Sequence, residues 1–165
     1  MTLSSVCQSV EMMSFSQVID ESPFWNPVIE STHLVALALL VGSITAFDAR
    51  LLGLAMRQVP VSQLGRRLLP WTWTGFGMSL TTGSLLFISS AEGYCFNPAF
   101  RIKLLLILLA GVNMAVFHLT VYRSVSGWGE GSSTPLRAKL AGSFSVLLWL
   151  AVVMAGRWIA FTEGG

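Results

Sequence analysis

Fourteen residues, Leu34 to Phe47, run without a charge, and ionisable groups bracket them: Glu30 and His33 before, Asp48 and Arg50 after. At 1.5 Å per residue the run covers roughly 21 Å, against a hydrocarbon core of roughly 30 Å. A helix that spans on this run carries some of Glu30, His33, Asp48 and Arg50 near or inside the slab. Ionisable groups there are costly and mark a functional site by default.

The rest of the 165 residues agrees with a membrane setting. The chain is 53% hydrophobic and 11% charged, with mean hydropathy +0.68. Soluble domains carry about 25% charged residues. The length suits one bundle with short connections. The pattern predicts an all-α, integral membrane, four-helix up-down bundle over residues 26–162, with helices near 27–56, 69–90, 98–122 and 135–161. Residues 1–25 form a tail whose Val6, Val10, Met13 and Ile19 are loosely helix-spaced, as in a short interfacial helix. This tail holds Glu11, Asp20 and Glu21 and no Lys or Arg. It has no basic region before an apolar run, so the first helix is expected to insert as an uncleaved anchor.

Punctuation places the starts. Asn26-Pro27, Asn97-Pro98 and Thr134-Pro135 each read as a cap followed by proline at the first helical position. Pro70-Trp71-Thr72-Trp73 opens the second helix, where Gly75, Ser79 and Gly83 recur every four residues. Such small-residue spacing lets helices approach closely, and a flat cofactor can use the same cleft. Asn113 is expected to make an interhelical hydrogen bond.

Basic residues set the orientation. The connection between helices one and two carries Arg50, Arg57, Arg66 and Arg67; that between three and four carries Arg123, Arg137 and Lys139. The opposite side has Arg101 and Lys103. Both termini and the Cys95 loop are therefore expected outside. Cys7 and Cys95 share that oxidising side, and two free thiols are the expectation because the tail is mobile in this reading. They lack metal-ligand spacing, and no CxxCH is present, which excludes covalent haem attachment.

Two polar layers follow. An outer layer holds Glu30, His33 and Arg157, with Met154 at a similar height. An inner layer holds Asp48, Arg50 and His118, expected as an ion pair or relay locking helix one to helix three. Helical rise puts His33 and His118 about 18 Å apart in depth. One iron cannot take both, because ligands sit about 2 Å from a metal. A neutral imidazole can ligate haem iron inside an apolar bundle, and arginine can pair with propionates. The leading expectation is thus a haem-b-binding membrane redox or electron-transfer protein. His33 and His118 are its candidate iron ligands, and Arg157 and Arg50 are propionate or structural partners. Two haems at two depths would form an electron path. The alternatives are a non-catalytic subunit or assembly factor of a membrane complex, and a proton or small-solute pathway with Asp48 and the histidines as relay groups. The expected partners are the lipid bilayer and further membrane subunits or copies of the chain, with no nucleic acid.

The pattern Glu30-Ser-Thr-His33, Gly42, Asp48-Ala-Arg50-Leu51-Leu52-Gly53, Leu69-Pro70-Trp71, Thr82-Gly83, Lys103, Asn113, His118 and Gly156-Arg157 resembles a family of uncharacterised bacterial four-helix inner-membrane proteins. The resemblance runs from about Pro27 to Phe161. It implies this fold and an inner-membrane location, and it supplies no activity. More distantly, His33, Gly42 and Arg50-Leu51 resemble the first helix of two groups, the haem-binding membrane protoporphyrinogen oxidase and the membrane domain of copper-resistance protein D. In the oxidase family the first-helix histidine is a haem ligand, which nominates His33. The oxidase's bundle-interior lysine has no evident match, since Lys103 and Lys139, the only lysines, sit near helix starts. No Met/His cluster accompanies His33.

Overall fold

The computed structural model describes residues 3–12, 16, 18, 19, 22–122 and 134–162. Met13, Asp20, Glu21 and the Gly/Ser-rich connection with Arg123 lie outside these residues. Among the described residues every regular element is helical: α1 (Leu3–Glu11), α2 (Trp25–Leu52), α3 (Val61–Ser89), the short α4 (Ala91–Phe96), α5 (Pro98–Val116) and α6 (Leu136–Thr162). α5 runs on into a π-helical turn, Phe117–Val121. Three helices are long and apolar enough to cross a membrane: α2, α5 with its π turn, and α6 up to Ile159. α3 is as long, but its Thr, Ser, Gly and Trp residues make it less apolar.

Local chemistry explains the boundaries. The Ser22 hydroxyl accepts from Trp25 N at 3.2 Å, so α2 starts two residues before Pro27. It stops at Leu52 because Gly53 turns left-handed (φ 73°) and Leu54 N returns to the Ala49 carbonyl at 2.9 Å. That closure ends the helix before the expected Met56. α3 starts at Val61, well before Leu69. Pro60 supplies the fixed entry, and its carbonyl accepts from Gln63 N and Leu64 N, both at 3.0 Å. Pro70 lies inside the helix rather than at its start. At α5 the reading holds: the Asn97 side chain accepts from Ala99 N and Phe100 N, with Pro98 in the first turn.

α2 packs along α3 on one side and α6 on the other, and α6 packs along α5. The α3 and α5 backbones make no close approach to each other, and α2 and α6 connect them. Lipid tails offer no hydrophobic drive between helices, so close backbone fit and polar contacts must hold the bundle. Gly75 supplies the fit: a Cβ there would stand 2.7 Å from Leu40 N. Ser43 and Thr72 hydroxyls bond across the same α2–α3 seam at 2.9 Å. Asn113 Nδ2 donates to the Ala141 carbonyl at 3.1 Å, which is the expected interhelical bond. At one end, Leu51, Val61, Phe117 and Ala138 form a buried cluster drawn from all four long helices.

At the other end the N-terminal helix is part of the protein core. α1 docks on α4 and α3. Cys7, 4% exposed, is disulfide-bonded to Cys95, in place of the two free thiols expected. The pairing is possible because α1 is ordered against α4: the Glu11 carboxylate accepts from Glu92 N at 2.7 Å in the first turn of α4. Ser16 donates to the Ile88 carbonyl at 2.8 Å, tying the tail to the end of α3.

Candidate functional site

The end of the bundle beneath this cap brings together polar side chains from α2, α3 and α5, with a glycine of α6 beside them. His33 projects from α2 onto α3, where its Nδ1 lies 2.8 Å from Thr82 Oγ1. The Thr82 proton is already donated to the Met78 carbonyl at 2.7 Å. Thr82 therefore accepts and His33 Nδ1 carries the hydrogen, with the Ser79 backbone as a further hydrogen-bond neighbour of the ring; in the neutral ring this tautomer puts the lone pair on Nε2. Gly83 makes the room: a Cβ there would sit 3.0 Å from His33 Cε1. The stripe Gly75-Ser79-Gly83 thus serves two purposes, a backbone crossing at Gly75 and a seat for an imidazole at Gly83. Between them the Ser79 hydroxyl oxygen is buried without a hydrogen-bond partner.

Lys103 enters from α5. Its ammonium lies over Gly156 of α6, 3.5 Å from where a Cβ would stand. It is within electrostatic reach of His33. Among the described residues it has no acidic partner. One turn away from Lys103, Phe100 stacks on Phe87 of α3 with centroids 5.5 Å apart, and Tyr94 packs against both. These rings join α3 to α5 at the capped end. Position near a helix start suggested that Lys103 was peripheral. The signal that could have found it is Gly156, a helix-interior glycine at the matching depth of α6. Of the other outer residues, Glu30 and Met154 are exposed. Arg157 is also exposed, with its guanidinium carbon 5.3 Å from the Phe161 ring centre.

The inner residues are placed apart. Asp48 and Arg50 are both buried, at 4% and 3% exposure, yet they serve different partners. Residues two apart on a helix do not face each other. Arg50 Nε donates to the Val59 carbonyl at 2.7 Å, and its Nη1 reaches Thr134 Oγ1 at 3.5 Å. It fastens the α2–α3 connection and the start of α6. Asp48 faces α6, where the Ser145 hydroxyl is its hydrogen-bond partner. His118 lies in the π turn with an exposed ring, its Nδ1 3.0 Å from the Met114 carbonyl and its face beside Tyr122 at 5.0 Å. The inner residues therefore do not form the expected three-membered group. Lys103 and His118 lie about 22 Å apart along the α5 axis, which keeps His118 away from the His33 end. No cluster of three or more His, Cys, Asp or Glu that could hold a metal ion occurs among the described residues.

Residues 22–162 match DUF6644, a family of unknown function. No curated protein and no solved structure matches the chain.

Proposed function

We propose that this chain, which belongs to the family of unknown function DUF6644, is a haem-b-binding redox protein of a bacterial inner membrane. In this reading α3 spans together with the three more apolar helices, and both termini lie outside. The observation that carries it is the placement of His33 and Lys103 at one end of the bundle: an imidazole held through Nδ1, within electrostatic reach of an ammonium that has no acidic partner among the described residues. This donor set fits a haem. A hydrogen-bonded Nδ1 orients the ring and fixes the tautomer that leaves Nε2 for a metal. An uncompensated cation in an apolar bundle is costly unless an anionic group neutralises it. A propionate is such a group, and Arg157 at the same end supplies a second cation.

In this account His33 ligates through Nε2, Thr82 and Gly83 hold its ring, and Lys103 neutralises a carboxylate. Bound haem b would supply one-electron chemistry at its iron. Arg50 is left as a structural residue and His118 as a surface ring. Arg57, Arg66, Arg67, Arg137 and Lys139 cluster at the end opposite the disulfide, which favours that end as cytoplasmic. A disulfide belongs to the oxidising side of the membrane and supports the same orientation. α5 leaves Leu104, Leu105, Leu108 and Val112 exposed, a face for lipid or for a second copy.

The test is the absorption spectrum of protein purified from haem-replete cells, oxidised and then reduced with dithionite, with a pyridine haemochrome assay. A Soret band that shifts on reduction and a b-type haemochrome are expected. A colourless protein would overturn the proposal.

A further inference from the structure

A second buried polar position lies at the other end of the bundle. Asp48 is buried, its Oδ2 is fully enclosed and has no hydrogen-bond partner, and the carboxyl faces α6 between Gly142 and Ser145. A carboxylate with one oxygen left without a donor in an apolar bundle keeps much of the desolvation cost of its charge, which the Ser145 bond offsets only in part. A carbonyl-type oxygen in the same place carries much less. The difference between those two states is one proton.

The neighbouring charged and titratable groups do not neutralise Asp48. On α2, Arg50 is committed to Val59 and Thr134. On α3, Arg66 and Arg67 are exposed, and so are Arg137 on α6 and His118 after α5. Lys139 on α6 is half-buried and Tyr122 packs on Phe117; neither donates to Asp48. A bound metal cation is a poor substitute. Hard cations take about six to eight oxygen ligands, and among the described residues the Ser145 hydroxyl is the one side-chain oxygen shown bonded to this carboxyl.

We propose that Asp48 is a proton-binding site between α2 and α6, occupied in the resting bundle as the neutral acid hydrogen-bonded to Ser145. The exchange is a simple one: the carboxylate takes one proton to become the acid, and it returns that proton to water or to a neighbouring acceptor. No electron moves, so the site stands or falls independently of haem binding. Its position near the last turn of α2, beside the Arg50-fastened connection, gives a proton acceptor at the end opposite the His33–Lys103 pair.

Dicyclohexylcarbodiimide tests this, because it enters apolar regions and adds to protonated carboxyl groups there. The acid proton moves to a carbodiimide nitrogen, the carboxyl oxygen bonds the central carbon, and acyl transfer leaves an N-acylurea with nothing lost. The full chain in vesicles is treated across mildly acidic to alkaline pH, with and without sodium chloride, and the adduct is mapped by peptide mass spectrometry. The expected result is an adduct on Asp48 that falls about tenfold per pH unit above its midpoint, is indifferent to sodium, and is missing in Asp48→Asn. The wild-type map alone decides the matter if that variant does not fold. No adduct on Asp48 at any pH would overturn the proposal, and protection by sodium at constant pH would assign the site to a metal cation instead.

Discussion

Single glycines decide what this chain can hold. At Gly83 the nearest neighbour of an added Cβ is a side chain, the His33 ring at 3.0 Å; at Gly75 it is backbone, Leu40 N at 2.7 Å. The two substitutions should therefore part company. Gly83→Ala gains up to about 1 kcal/mol of helix propensity, which offsets the push on a ring that can swing away. Its thermal stability should stay close to wild type while the His33–Thr82 bond and the haem content fall. Gly75→Ala has no side chain to move and should cost about 1–3 kcal/mol as an overpacked contact. Thermal melts alongside haem quantification of both variants check this. Equal loss of stability in the two would show that the Gly83 contact is structural only. The small-residue spacing on α3 was legible in the sequence because it repeats at helical period. The depth of Lys103 was not, since a residue early in a helix can still reach inward along a long side chain when a glycine faces it.

Among elements, starts written in local chemistry were readable and those set by tertiary context were not. Asn97-Pro98 caps α5 as the dipeptide predicts, because the cap bonds are made within three residues. Asn26-Pro27 carries the same signal, yet Ser22 serves as the acceptor and α2 begins earlier. Pro70 reads as a helix start, but Pro60 already provides one, Val61 belongs to the end cluster and Leu64 is buried. Packing of those first turns outweighs the missing donor at Pro70. The inner polar layer failed for a geometric reason: Asp48 and Arg50 are two residues apart and point to different neighbours. The π turn at Phe117–Val121 leaves no sequence trace, and with it went the orientation of His118.

At the scale of the molecule, the N-terminal helix and the bundle are one unit. The Cys7–Cys95 link closes an 88-residue separation, which by chain entropy alone contributes up to about 4.5 kcal/mol. Reduction is expected to free α1 from α4 while leaving the helix content of α2, α3, α5 and α6 unchanged. In inner-membrane vesicles and spheroplasts, an impermeant maleimide should label both cysteines from the outer side, and only after a reductant. Labelling without reductant, or only from the cytoplasmic side, would contradict the clasp or the orientation. The same account puts the redox site in the outer half, under that clasp, and leaves the surface histidine of the π turn out of it. That is the central claim, and the most direct measurement is the reduced-minus-oxidised spectrum of His33→Ala beside His118→Ala, both purified from haem-replete cells. The account predicts that the Soret band is lost in His33→Ala and kept in His118→Ala; the reverse pattern, or a band unchanged in His33→Ala, would contradict it.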